Sequence, residues 1–210
     1  MKRHFLLVIS VLSYIAGANA ATWETMFSYN KVSQIAVADD KVYAVSDGAL
    51  FSVEKNSERI EKYDAGSGLN GTTIGCISYA QKLNMLIIGY QDGKIDLMQD
   101  NGIYYVSGLY TKDMTATKTI NNITIHNNSA YLSTDFGIVT FNLKKYELVD
   151  TYYIGDEASE VKVNDVLIRG DSIYAFGDKL LYTACLKDNI VDFRYWATEP
   201  LGRILPDANK

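Results

Sequence analysis

Four stretches of this chain repeat one another: residues 32–53, 74–98, 120–143 and 163–184. Their equivalent apolar anchors, Ile35, Ile77, Ile123 and Val166, follow one another at spacings of 42, 46 and 43 residues. A fixed period of this size is the mark of an architecture built from one supersecondary unit used several times, because a lone unit cannot bury its own apolar faces.

Each unit reads as four strands. A short apolar run ends in a polar tight turn (Asp39-Asp40, Gln81-Lys82, Asn127-Asn128, Gly170-Asp171), and a second run rich in Tyr, Val, Ile and Leu follows. A turn with Asp or Gly comes next (Asp47-Gly48, Asp92-Gly93, Asp135 to Gly137, Gly177-Asp178). Then come a third run and a more polar fourth one, at 59–63, 102–106, 147–152 and 189–195. Runs of four to eight residues between such turns are strands. The inner runs, for example "NMLIIGY" and "KVYAVS", are apolar on both faces rather than alternating. A sheet packed on both sides loses its alternation, and the crossover helices that a parallel sheet would need have no helical period to form them. The expected fold is all-β: a partial β-propeller of four recognisable four-stranded antiparallel blades, at about 32–63, 74–107, 120–152 and 163–196.

The first twenty residues stand apart from this pattern. Lys2 and Arg3 precede an apolar run over residues 5–17, and Ala18-Asn19-Ala20 offers small residues to a signal peptidase. That composition predicts a secretory signal peptide over 1–20, with the propeller over 21–210 and no transmembrane span once the leader is removed. Taking Lys2 and Arg3 from the 20 basic residues leaves 18 against 25 acidic ones, a balance that argues against a nucleic-acid partner. The two cysteines, Cys76 and Cys185, lie in apolar runs and read as buried free thiols; an oxidising compartment also allows a disulfide. With His126 the only histidine past the leader, and no C-x-x-C, H-E-x-x-H or EF-hand spacing, no metal site and no cofactor is expected.

Two well-known strings need an account. Asp135-Phe136-Gly137 is the magnesium-holding triplet of protein kinases, and Gly66, Gly68 and Gly71 satisfy G-x-G-x-x-G. Neither has its context. The first falls where the other units place a strand-to-strand turn, which Asp initiates and Gly relieves. The second joins one unit to the next and opens no helix that could aim at phosphate. Asp92 and Asp96, a carboxylate pair on paper, fall across one turn and within one strand, which is not a glycosidase arrangement. No catalytic residue is expected, and the chain reads as a non-enzyme.

In a propeller, the turns between second and third strands share a face with the long connections between blades, here 63–73, 108–119, 153–161 and 197–203. Long loops on a rigid scaffold are the usual place for binding. The candidate binding residues on that face are Asp47, Tyr90, Asp92, Asp135 and Asp178, against the alternative that the acids only make turns. Residues 22–29 look like an outer strand awaiting a blade, and 201–210 like a linker into a fifth unit. The expectation is therefore an N-terminal piece of a longer ring, with an uncovered blade face at each end that makes the isolated chain dimerise or aggregate.

The strings "IGYQDGKIDLM" (88–98), "AYLSTDFGIVTFNLKKYELVDTYYIG" (130–155) and "SGLNGTTIGCISY" (67–79) resemble the N-terminal propeller of the PorZ family, a component of the type IX secretion system, along nearly the whole mature chain. The resemblance implies a binding or scaffold module at the periplasm or outer-membrane surface of a Gram-negative bacterium. It also implies PorU-, PorV- and PorQ-like protein partners, an association with anionic lipopolysaccharide, and no catalytic residues to carry over. Extracellular glycan-sensing propellers of hybrid two-component receptors share the blade junctions and are the alternative.

Overall fold

The computed structural model describes residues 31–204. The expected leader, the strand-like segment 22–29 and the end of the linker lie outside the described residues. Sixteen strands form four separate four-stranded sheets, each an antiparallel meander with its strands in chain order. The first sheet holds β1 (Val32–Val37), β2 (Lys41–Ser46), β3 (Ala49–Glu54) and β4 (Ile60–Tyr63). The second holds β5 (Ile74–Ala80), β6 (Met85–Tyr90), β7 (Ile95–Gln99) and β8 (Gly102–Val106). The third holds β9 (Ile120–His126), β10 (Ser129–Thr134), β11 (Gly137–Asn142) and β12 (Glu147–Tyr152). The fourth holds β13 (Asp165–Arg169), β14 (Ser172–Phe176), β15 (Leu180–Cys185) and β16 (Ala197–Pro200).

The first strands of the four sheets, β1, β5, β9 and β13, lie next to one another in that order, so the sheets stand side by side around a common inner edge. This is a partial β-propeller, as the repeat predicts. Three apolar cores fill the gaps between neighbours. Tyr43, Val45 and Leu50 meet Ile77, Leu86 and Ile88 between the first and second sheets. Met85, Ile87 and Leu97 meet Ile123, Leu132 and Phe141 between the second and third. Ile138 and Tyr152 meet Val166, Ile173 and Trp196 between the third and fourth. Every residue of β6 is buried, which is why its sequence shows no alternation.

The turns explain their sequences. Asp47 and Gly48 form a two-residue hairpin with φ of 49° and 80°, the pair of left-handed conformations that the favoured hairpin turn requires. Gly137 sits at φ 143°, and a Cβ there would collide with the carbonyl oxygen of Tyr152. The kinase-like triplet is thus a turn: Asp135 and Phe136 connect β10 to β11, and the Phe136 ring is fully buried in the second-to-third core.

One expected strand is displaced. Residues 189–195 do not form the outer strand of the fourth sheet; β16 does so at Ala197–Pro200. The Asp192 carboxylate accepts from the Arg194 backbone N–H at 3.0 Å and sets a 3-10 turn at Phe193–Tyr195. Trp196 follows it into the core and donates from Nε1 to the Ile190 carbonyl at 2.9 Å. That anchor occupies the segment, and pairing with β15 begins only beyond it. The stretch 197–203, expected as connection, is therefore strand and then a short helical turn at Leu201–Ile204. Both cysteines are free, Cys76 buried and Cys185 half-buried.

Candidate functional site

The face that carries the turns between second and third strands also carries the connections between sheets, and each connection is pinned to a turn. The Ile74 N–H donates to the Gly48 carbonyl at 3.2 Å, and the Val163 N–H to the Thr134 carbonyl at 2.9 Å. The face is a fixed platform because its loops are tied to the rims of the sheets.

The five candidate residues divide by what holds them. Tyr90 lies in the interior, not on the face: it is buried, and its hydroxyl donates to the Asp96 carboxylate at 2.7 Å. Burial and the adjacent Asp96 both push the Tyr90 phenol well above its ordinary range. Asp135 accepts from Thr117 Oγ1 and, at 3.0 Å, from Asn121 Nδ2, while that same Nδ2 reaches the Val163 carbonyl at 2.9 Å. Burial alone would raise the Asp135 carboxyl, but the hydrogen bonds from Thr117, Asn121 and Thr119 outweigh it and hold the group below the usual carboxylate range. Asp178 repeats this scheme one unit on, accepting from Asn164 Nδ2 at 2.9 Å. Asp47 is committed to its hairpin and lines a shallow depression with Ser33, Thr73 and Gln91. Asp92 caps its own turn by accepting from the Lys94 N–H at 3.2 Å and pairs with the Lys94 ammonium at 2.9 Å.

The glycine-rich string acts as a lock between the first two sheets. The Asp64 side chain caps a 3-10 turn at Ala65–Ser67, and Gly68 closes it in the left-handed region. Asn70 then reaches the fully buried Asp96, its backbone N–H at 2.8 Å and its Nδ2 at 2.9 Å. Gly71 lies flat against the Tyr90 ring, where any Cβ would collide. Asp96 is thus a satisfied structural carboxylate with three donors, not half of an acid pair.

Sequence reasoning missed the most distinctive chemistry on this face. Three lysines gather around two tyrosines at the junction of the second and third sheets. Lys94 Nζ stands 4.7 Å from the centre of the Tyr110 ring, and Lys118 Nζ 6.0 Å from it. Lys118 also donates to the Tyr110 carbonyl at 2.6 Å. Lys112 Nζ lies 5.8 Å from the Tyr153 ring centre and 3.3 Å from its hydroxyl. Tyr110 is exposed, and Tyr153 packs on Phe136 with ring centroids 6.3 Å apart. The Asp92 carboxylate keeps the Lys94 ammonium above its ordinary range. Lys94 and Lys118 stand within cation–π range of the Tyr110 ring, an attraction of about 0.5–1 kcal/mol at an exposed site, whereas Lys112 meets Tyr153 at its hydroxyl edge. A depression of about 250 Å³, lined by Leu50, Tyr63, Leu69 and Ile74, opens at the neighbouring junction. Among the described residues no group of three or more His, Cys, Asp or Glu side chains is placed to hold a metal.

Residues 42–197 match the family described as the type IX secretion system PorZ N-terminal β-propeller domain. The chain belongs to that family. The PorZ structure from Porphyromonas gingivalis, described as an essential bacterial surface component of the type IX secretion system, superposes with a TM-score of 0.73 at 29% identity. The match covers 84% of this chain and 23% of that one, so this chain spans about a quarter of the PorZ it resembles. The extracellular domain of a one-component system protein from B. thetaiotaomicron gives a TM-score of 0.64 at 14% identity, over 85% of this chain and 23% of that one. A computationally designed protein, Ika8, gives 0.56 at 11% identity, over 80% of this chain and 49% of that one. The last two likenesses show the fold alone. No curated protein matches the chain.

Proposed function

We propose that this PorZ-family propeller is a non-catalytic binding module of a type IX secretion complex, working outside the cytoplasm and taking an anionic glycan such as that of lipopolysaccharide on its loop face. The observation that carries the reading is the Lys94, Lys112 and Lys118 cluster around Tyr110 and Tyr153. In a chain of net charge −5, Lys112 and Lys118, with the Asp92-paired Lys94, beside an exposed aromatic ring are the local feature that suits a sugar bearing carboxylate or phosphate. The ring face stacks on the apolar side of the sugar and the ammonium groups meet its charge. Family membership supports the secretion context and an extracytoplasmic setting, and PorU-, PorV- and PorQ-like protein partners belong to the same reading. A glycan-sensing receptor would share the fold, but its supporting likeness is at 14–15% identity, and the family match favours the secretion reading.

The test is titration of purified anionic lipopolysaccharide, with a neutral-glycan lipopolysaccharide as control, onto the chain lacking residues 1–20. Lys112→Glu and Lys118→Glu should each weaken binding by about tenfold, the loss of a charge-assisted contact, and salt should weaken the unsubstituted chain more than either variant. Equal affinity for the neutral glycan, or binding that ignores both substitutions, contradicts the proposal.

A further inference from the structure

The end of the sheets opposite the loop face carries the short turns between first and second and between third and fourth strands. At the junction of the first two sheets these turns border a polar pocket of about 180 Å³. The β1–β2 turn supplies Asp39 and Asp40, and the β7–β8 turn supplies Asp100 from the neighbouring sheet. All three residues are exposed, and among the described residues none of their carboxylates takes part in a hydrogen bond or ion pair. The pocket also takes in Tyr43 and Tyr79, one from each sheet, stacked with ring centroids 6.1 Å apart. Tyr43 is only 8% exposed, yet its hydroxyl has no hydrogen-bond partner among the described residues and is not sealed in: it opens into the pocket. Polar groups this deep are normally paired within the chain, so an unpaired hydroxyl here points to a group that arrives from outside. Burial pushes both phenols above their ordinary range, and Asp40 and Asp100 push each of them further, so charge from both turns reaches both rings. The walls are pinned. Gln81 Nε2 donates to the Val37 carbonyl at 2.7 Å across the junction, and Lys55 Nζ donates to the Ala38 and Asp39 carbonyls at 2.6 and 3.0 Å.

We infer that this pocket takes the guanidinium of an arginine side chain presented by a partner protein. The chain itself shows the chemistry: Lys41 Nζ stands 5.9 Å from the centre of the Tyr43 ring, within cation–π range. That one lysine leaves most of the negative charge around the pocket unmatched. A guanidinium answers the rest better than an ammonium does. Its planar fork donates to carboxylates on two sides while its face lies on a tyrosine ring, and one N–H is left for the Tyr43 hydroxyl oxygen. A metal ion fits less well, because among the described residues no three His, Cys, Asp or Glu side chains are placed to hold one. Arginine and tyrosine are also the side chains on which protein interfaces most often anchor. The pocket lies at the other end of the sheets from Lys94, Lys112 and Lys118, so this inference does not depend on the glycan reading.

The experiment titrates N-acetyl-arginine methylamide into the chain lacking residues 1–20 and follows amide chemical shifts, with the citrulline analogue as an uncharged probe of the same shape. The arginine probe should give saturable shifts at 39–43, 79–84 and 98–100 with a dissociation constant on the order of 1 mM, and the citrulline probe should give none. Asp40→Asn and Asp100→Asn should each weaken binding about threefold to tenfold; both residues are exposed, so neither substitution threatens the fold. Tyr43→Phe keeps the packed ring, removes only the hydroxyl and should weaken binding about threefold. A short peptide with a single arginine should shift the same amides and lose affinity to the same substitutions. The absence of saturable shifts at these amides up to about 50 mM probe overturns the inference, as does an equal response to citrulline or an affinity that ignores both aspartate substitutions. Saturation of the same amides by calcium chloride at concentrations far below those of the arginine probe also overturns it, since the carboxylates would then serve a metal ion.

Discussion

The two middle sheets and the two end sheets are built from the same repeat, yet they hold their apolar residues in different ways. β6 and β11 of the second and third sheets are buried on both sides, by partners from both directions. The first strands of the end sheets, β1 and β13, hold one buried residue each, Ala36 and Val166, and among the described residues only one neighbouring sheet flanks them. Ile35 and Leu167 are as apolar as Ile77 and Ile123, but their exposures of 62% and 51% against 5% and 4% show different surroundings. A propeller sheet therefore borrows much of its stability from the sheets beside it, and a side chain's worth depends on its place in the stack as well as on its type.

The largest contrast should appear in thiol reactivity. Cys76 faces the second-to-third core, where burial pushes its thiol up to about 12, while Cys185 lies half-buried on the face of the fourth sheet that no other described sheet covers. A disulfide exchange reagent at pH 8 should modify Cys185 at least about a thousandfold faster than Cys76, which must wait for the core to open. Comparable rates would mean the middle sheets are not closed.

The same comparison can be made in stability. Ile123→Ala should cost about 2–5 kcal/mol in urea unfolding, whereas Ile35→Ala, the identical change at the identical repeat position, should stay within about 0.5 kcal/mol when the chain is monomeric. Similar losses at both positions would show that the first sheet is covered after all.

Asp96 sharpens the comparison within one register. Its equivalents are Phe51, Val139 and Tyr182, so a carboxylate stands at a position that elsewhere is apolar or aromatic. Asp96→Ala removes the acceptor for Asn70 and Tyr90 together and should cost about 3 kcal/mol, releasing the 64–73 connection to amide exchange. A smaller loss with an unchanged connection would mean that the glycine-rich string is held by Leu69 and Gly71 alone.

The smallest effect is electrostatic. The folded Asp135 carboxyl lies below its ordinary value, so its contribution is present above the usual aspartate range near about 4 and is lost as pH falls through the lower folded value. Asp135→Asn should therefore flatten the fall in stability on acidification below about pH 4 while leaving its slope near neutrality unchanged. An unaltered acid limb would show that the Thr117 and Asn121 contacts do not distinguish the charged form.

Much of this was written in the chain, for physical reasons. The period is visible because every unit needs the same anchor, and Asp47-Gly48 is visible because a two-residue hairpin demands left-handed backbone. The outer strand of the fourth sheet was misplaced because "VDFRYW" has strand-like composition, while one carboxylate, that of Asp192, bends it into a 3-10 turn. The lysine and tyrosine cluster could not be read at all. Lys94 comes from a turn, Lys112 and Lys118 from an irregular connection and Tyr153 from the next one, so no local spacing encodes their meeting. Burial of Tyr90 was equally hidden, since a tyrosine at the end of a strand looks the same whether its hydroxyl meets water or Asp96.

The account rests on sheets that support one another from the side, and native-state amide exchange resolved by strand tests that most directly. In the chain lacking residues 1–20, β5 to β7 and β9 to β11 should exchange only through global unfolding, while β1 to β4 and β13 to β16 open at lower free energy. Uniform protection across all four sheets, or end sheets that outlast the middle ones, would contradict it.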